Sequence, residues 1–285
     1  MGNEEETPKG VIGNGFVGNA IYENFKEFYK FFIYDTNKER SNCGAIYDVL
    51  HNTDIIFAAL PTPIDESIGR CDVSVIGKVM AQVNMWYNNN IIVLKSTVPP
   101  GTCEWIRSAY PKIRLVYSPE FLTERNSAQD FKTSSRAIFG GSKDDTDEVL
   151  KLFKKHFPNK NYQVTDYKTA EMVKYFTNTF LATKVSFANE VYDICENLGI
   201  NYTKVKDLAL LDPRIGKSHL DVPGHDGSRG FGGTCFPKDL LSLIGHSEVN
   251  KHDPEFLKSV WKKNLEVRSN KDWKLLKGRA VTEKK

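Results

Sequence analysis

The sequence predicts an α/β chain: a doubly wound parallel sheet followed by a mainly α-helical region built on one long central helix. Three observations carry this. Short apolar runs alternate with amphipathic stretches through the first half, the pattern of βαβ units and a parallel sheet. A glycine triplet, Gly13-x-Gly15-x-x-Gly18, directly follows the first apolar run and opens a helical pattern. Beyond Thr165, residues 166–198 run without Gly or Pro until Gly199, where a helix C-terminal glycine belongs.

Taken in order, the strand-like runs are GVIG (10–13), KFFIYD (30–35), TDIIFAAL (53–60), NIIVLKS (90–96), IRLVYS (113–118) and RAIFGG (136–141). Helical patterns fill several gaps, among them 72–87 and 102–110. The 166–198 stretch, at about 1.5 Å per residue, would span roughly 50 Å, more than a small domain covers. Beyond it the chain is helical around one long loop, 217–233, rich in Gly, Pro and His. The expected division is 1–166, a Rossmann-like dinucleotide-binding domain, and 167–285, a helical central, dimerisation and substrate domain with a C-terminal tail.

The 285 residues include 40% apolar and 26% charged residues, with a net charge of +3 from 39 basic and 36 acidic side chains. That balance gives no electrostatic case for nucleic acid or membrane partners. Five cysteines, an odd number with no CxxC pair, read as reduced thiols with no disulfide framework and no metal site. The opening MGNEEETPKG has no apolar run, so no secretory leader is expected there, and the expected location is cytoplasmic.

The glycine turn allows a pyrophosphate to approach a helix N-terminus. Asp35, about 20 residues on, ends the second strand where a carboxylate holds ribose hydroxyls. Such a carboxylate would repel a 2′-phosphate and so favours NAD, with Lys38 and Arg40 standing nearby. LPTP (60–63) and KSTVPPGT (95–102) follow strand ends, which places Thr62 and Thr97 toward a bound ligand. Taken alone, each is equally an ordinary turn residue or helix cap. Glu120 and Glu124 in SPEFLTE share a face if the segment turns helically, either to activate water or as a solvated turn. Lys174 and Asn178 lie at i, i+4 on the long helix, the lysine either snorkelling or working. In GFGGTCFPKD (230–239), glycines precede Cys235, and Pro237 marks a helix start. A thiolate at a helix N-terminus is stabilised by free amides and the dipole, which suggests a nucleophile.

These motifs, in order across residues 10–240, together with AEMVKYFTNTFLATK and DPRIG, resemble the UDP-glucose 6-dehydrogenase family within the nucleotide-sugar dehydrogenases. The resemblance implies a four-electron oxidation of a sugar primary alcohol to a carboxylate with two NAD. It implies that Cys235 attacks the intermediate aldehyde, giving a thiohemiacetal and then a thioester that water hydrolyses. By the same resemblance, Lys174 stabilises the oxyanion, and Asp239 acts with it as base through a water. Glu120, helped by Thr97, directs the hydrolytic water, and Asn178 stands by the sugar and thiolate.

The implied cofactor residues are Gly13, Gly15, Phe16, Val17, Gly18, Asp35, Arg40, Thr62, Thr97, Glu124 and Lys238. Substrate contacts are implied for Glu120, Phe121, Leu122, Lys174, Asn178 and Gly232. Arg214 of DPRIG resembles the arginine that reaches a neighbouring subunit's substrate, and a homodimer on the long helix is expected. Met172, Phe176, Phe180, Phe187 and Val191 supply apolar surface on more than one face of that helix. The family normally carries a third domain over the uridine diphosphate, so a trimmed form is expected here. Arg229 and Lys217 of the extended loop, and the basic tail (Lys277, Arg279, Lys284, Lys285), are the candidates to neutralise the diphosphate. A GDP-mannose-type substrate, or a non-catalytic NAD-binding partner subunit, are the competing readings.

Overall fold

A computed structural model describes residues 6–283; Lys284 and Lys285 of the tail lie outside the described residues. The chain divides into two compact units, one running through Thr62 and again over Val73–Lys174, the other Pro63–Asp72 with Tyr175 onward.

The first unit contains β1 (Lys9–Ile12), α1 (Phe16–Phe25), β2 (Phe31–Tyr34), α2 (Ile46–Asn52) and β3 (Ile55–Ala58). The short strands β4 (Ile64–Asp65) and β5 (Arg70–Cys71) leave it for the second unit. It resumes with α3 (Ser74–Met85), β6 (Ile91–Leu94), α4 (Thr102–Ala109), β7 (Arg114–Tyr117) and α5 (Ser127–Thr133). Then come β8 (Arg136–Gly141), α6 (Lys143–His156), β9 (Asn161–Thr165) and the start of α7 (Tyr167–Leu198).

The sheet order is β2-β1-β3-β6-β7-β8-β9. Its pairs are parallel except β7 with β8, which meet antiparallel only at Val116↔Gly141 and Tyr117↔Gly140. The sheet is therefore mixed at one side, as doubly wound sheets with an antiparallel strand commonly are. β9 carries no apolar alternation because most of its residues are exposed, so composition did not mark it.

Both sheet faces are covered, which is why β1, β3 and β6 read as solid apolar runs. Val11, Phe57, Val93 and Val116 pack with Phe25, Phe131 and Phe153 on one side. Ile12, Ile56, Ile92 and Leu94 pack with Val49, Met80 and Ile106 on the other.

The second unit holds the rest of α7, α8 (Tyr202–Ala209), α9 (Phe236–Val249) and α10 (Glu255–Val267). The β4–β5 hairpin packs on α9, so closely that a Cβ at Gly245 would sit 2.0 Å from the Gly69 carbonyl oxygen. The tail is tied down through residue 282. The Ile64 amide donates to the Ala280 carbonyl (2.9 Å) and the Thr282 amide to the Ile64 carbonyl (2.9 Å), with Trp273, Ala280 and Val281 buried together. On α7, Met172, Phe176, Phe180 and Phe187 are exposed, whereas Val191 packs against the cluster of Ala188, Cys195, Tyr202 and Leu220.

Candidate active site

The three glycines of the first turn do different things. Gly13 has φ +89°, and a Cβ there would lie 2.3 Å from the Ala59 carbonyl oxygen. A Cβ on Gly18 would meet the Gly13 carbonyl oxygen at 2.1 Å, so helix and strand pack there at backbone distance. Gly15 caps the N-terminus of α1 and has open space where its Cβ would be. The first-turn amides of Phe16, Val17 and Gly18 thus stay open to an anion.

Asp35 follows β2, and its carboxylate accepts from the Asn14 amide (2.6 Å) and the Asn37 amide (2.8 Å). Ser41 braces it, its Oγ accepting from the Asp35 amide and donating to the Asp35 carbonyl. Asn14 donates through Nδ2 to the Arg40 carbonyl, leaving its buried Oδ1 without a hydrogen-bond partner among the described residues. An open cradle at Gly15, a fixed carboxylate one strand away and an unsatisfied buried oxygen between them fit a dinucleotide. Arg40 itself sits exposed in a short 3₁₀ turn, Lys38–Arg40.

Thr62 and Thr97 are buried at the ends of their loops, and Ser96 Oγ accepts from the Leu60 amide to tie those loops together (2.8 Å). Residues 121–123 are not helical, and Glu124 begins a 3₁₀ turn. Glu120 and Glu124 therefore share no helical face; Glu120 is buried and Glu124 exposed. Lys174 Nζ donates to Glu120 Oε1 (2.9 Å) and to the Glu120 carbonyl (2.6 Å). The second carboxylate oxygen accepts from the Leu122 amide (2.7 Å). Phe121 lies under the Arg136 guanidinium (4.4 Å) and near Lys174 Nζ (5.6 Å). Lys174 is 2% exposed and ion-paired, so its ammonium does not snorkel to solvent.

In the second unit Cys235 is the N-cap of α9, with Pro237 in the first turn and the Asp239 amide donating to the Cys235 carbonyl (2.8 Å). Asp239 is completely buried. One of its oxygens accepts from Asn178 Nδ2 and the other from Lys238 Nζ. Burial opposes the Lys238 charge, but the Asp239 carboxylate, paired with it and hydrogen-bonded to it, outweighs burial and holds the lysine above its ordinary pKa.

The glycines before Cys235 now have a physical reason. A Cβ on Gly232 would stand 2.1 Å from Asp272 Oδ1 and 2.3 Å from Arg268 Nη2, and the Gly233 amide donates to Asp272 Oδ2 (2.9 Å). Arg268 is 2% exposed and reaches Asp226 (2.7 Å) and Asp272 (3.0 Å). Asn264 pairs both ways with Phe231, accepting from its amide (2.7 Å) and donating to its carbonyl (3.0 Å). These three bracing residues were not anticipated; their only sequence signal is the i, i+4, i+8 spacing of Asn264, Arg268 and Asp272.

Arg229 is engaged within its own unit, donating to Asp193 Oδ1 (2.6 Å) and Asn189 Oδ1 (3.0 Å) and lying over Tyr192. Arg214 is highly exposed and paired only locally with Asp212 among the described residues.

A doubly wound sheet with this glycine turn and carboxylate defines a dinucleotide-binding domain. Residues 33–157 match the NAD-binding domain of the UDP-glucose/GDP-mannose dehydrogenase family, and residues 168–266 match its central domain. The chain belongs to the UDP-glucose/GDP-mannose dehydrogenase family, and the cofactor of that domain is NAD.

It is 36% identical over 229 residues to the UDP-glucose 6-dehydrogenase of Rickettsia conorii, covering 78% of this chain and 51% of the relative. The enzyme of the same name from Rickettsia bellii is 32% identical over 260 residues, covering 88% and 57%. The chain spans about half the length of the curated relatives it matches. Among solved structures, a UDP-glucose dehydrogenase from Pyrobaculum islandicum superposes with a TM-score of 0.80 at 26% identity, over 93% of this chain and 70% of that one.

Proposed function

We propose that this chain performs the NAD-dependent, four-electron oxidation of UDP-glucose to UDP-glucuronate. The single observation that carries the reading is Cys235 at the N-terminus of α9, with Asp239, Lys238 and Asn178 fixed behind it. NAD supplies the hydride acceptor for each of the two oxidations.

The chain's own residues do the remainder. Gly15 and the first turn of α1 cradle the pyrophosphate, and Asp35 takes the ribose hydroxyls. Lys174 and Asp239 manage the alcohol proton, and Lys174 with Asn178 stabilises the developing oxyanion. The Cys235 thiolate adds to the aldehyde carbon and retains the sugar between the two oxidations. Glu120 takes a proton from the water that attacks the resulting thioester, and the thiolate leaves. Arg214, exposed on its loop, is assigned to the substrate of a second copy in a homodimer. The exposed apolar residues of α7 supply the surface for that dimer. Five cysteines, none of them in a disulfide, accord with a cytoplasmic location.

The test is NADH formation with a panel of nucleotide sugars, comparing wild type with Cys235→Ser. Turnover of UDP-glucose by wild type alone is expected. Selective turnover of a GDP-sugar would move the substrate assignment, and no turnover with any sugar would leave only an NAD-binding subunit.

A further inference from the structure

Lys95 directly follows β6, at the start of KSTVPPGT, and has no part in the scheme above. Its side chain is 4% exposed. Nζ donates to Ser118 Oγ (2.9 Å) and approaches the Pro119 carbonyl at 3.5 Å, so the ammonium holds the two residues directly before Glu120. A cavity of about 40 Å³ opens beside it, lined by Lys95, Ser118, Glu120, Arg136 and Lys160 among others. That is room for a water or two among polar partners.

We propose that Lys95 is a positioning residue for the Glu120 carboxylate: it pins the Ser118–Pro119 turn that presents Glu120 to the cavity both residues line. This rests on the reading of Glu120 as the group that activates water.

A cation buried against neutral oxygens is held in its charged form only weakly. Burial is the main influence on Lys95. Glu120 favours its charge, while Lys174 of α7 and Lys160 between α6 and β9 oppose it, and Arg136 of β8 lines the same cavity. The outcome is a pKa lowered to about 7. Below that value the turn is held by an ammonium. Above it the amine keeps its bond to Ser118, and one positive charge fewer among Lys95, Lys174, Lys160 and Arg136 stands at or beside the cavity, which favours removal of a proton from water there.

The hydrolytic step should therefore accelerate through an ionisation near pH 7. Lys95→Met is nearly isosteric and removes a desolvated charge, so the variant should fold. It should lose that ionisation and, because nothing then pins the turn through Ser118 Oγ, hydrolyse the thioester several-fold more slowly, with NAD affinity unchanged. An active wild type whose pH profile and kcat survive Lys95→Met would overturn the inference.

A second measurement needs no turnover. With a folded pKa of about 7 against an ordinary 10.5, the unfolded chain binds a proton that the native state lacks between those values. Wild-type stability should consequently rise with pH over that window relative to Lys95→Met. In Glu120→Gln the carboxylate that favours the charge is gone, so the window should extend to lower pH. A wild-type minus Lys95→Met difference that is flat from pH 7 to 10, or unmoved by Glu120→Gln, refutes the coupling. If wild type oxidises no nucleotide sugar, the functional reading falls while these melts still decide whether Lys95 and Glu120 are coupled.

Discussion

Gly15 separates what the glycine turn does for folding from what it does for binding. Its φ of −75° and ψ of −161° are accessible to alanine, and a Cβ there meets nothing within 4 Å. Gly15→Ala should therefore change stability by less than about 1 kcal/mol, the scale of an N-cap substitution. The same methyl would fill the open space at this helix N-terminus, where the NAD pyrophosphate must come close. Charge-assisted hydrogen bonds contribute about 1.5–3 kcal/mol each, so losing one should weaken NAD binding about tenfold to a hundredfold. Isothermal titration gives the affinity and thermal melting the stability. Gly18→Ala is the control, because its Cβ would sit 2.1 Å from the Gly13 carbonyl oxygen, and its melting temperature should fall. Wild-type NAD affinity in Gly15→Ala, or a melting loss as large as that of Gly18→Ala, would refute the assignment.

Other substitutions probe the second unit and the helix face. Gly232→Ala must displace the Arg268–Asp272 pair, whose arginine is buried and whose aspartate is partly exposed; losing a hydrogen bond to a charged group costs about 1.5–3 kcal/mol, a drop of several degrees in melting temperature. An unchanged Tm would show that the loop accommodates a side chain. Phe176 is 67% exposed and stacks on Phe180 at 6.2 Å, so Phe176→Asp should convert the proposed dimer to monomer in light scattering without loss of helicity. A dimeric mass for that variant places the interface elsewhere.

The parts of this molecule set by local rules were legible in the sequence. The glycine turn, Asp35, the unbroken α7 and the helix opened by Pro237 each follow from residue types at short spacing. What could not be read depends on long-range pairing. The β4–β5 hairpin is two residues per strand, and its place on α9 comes from Gly245, which has no signature of its own. Glu120 and Glu124 look like an i, i+4 pair, but the turn after β7 is pinned by Lys95 and Lys174 instead of winding into a helix. Lys95 itself reads as a polar strand end, because nothing local announces that its ammonium is enclosed. The pairing of Arg229 with Asp193 of α7 was not legible either, because nothing local to the loop announces it.

The central claim is covalent retention of the sugar on Cys235, and the stoichiometry of NADH tests it most directly. With limiting UDP-glucose and excess NAD, wild type should yield two NADH for each sugar consumed, with no free aldehyde trapped by a hydrazine reagent. Cys235→Ser should bind NAD normally and fail to complete the oxidation. One NADH per sugar from wild type, with aldehyde released into solution, would contradict the account.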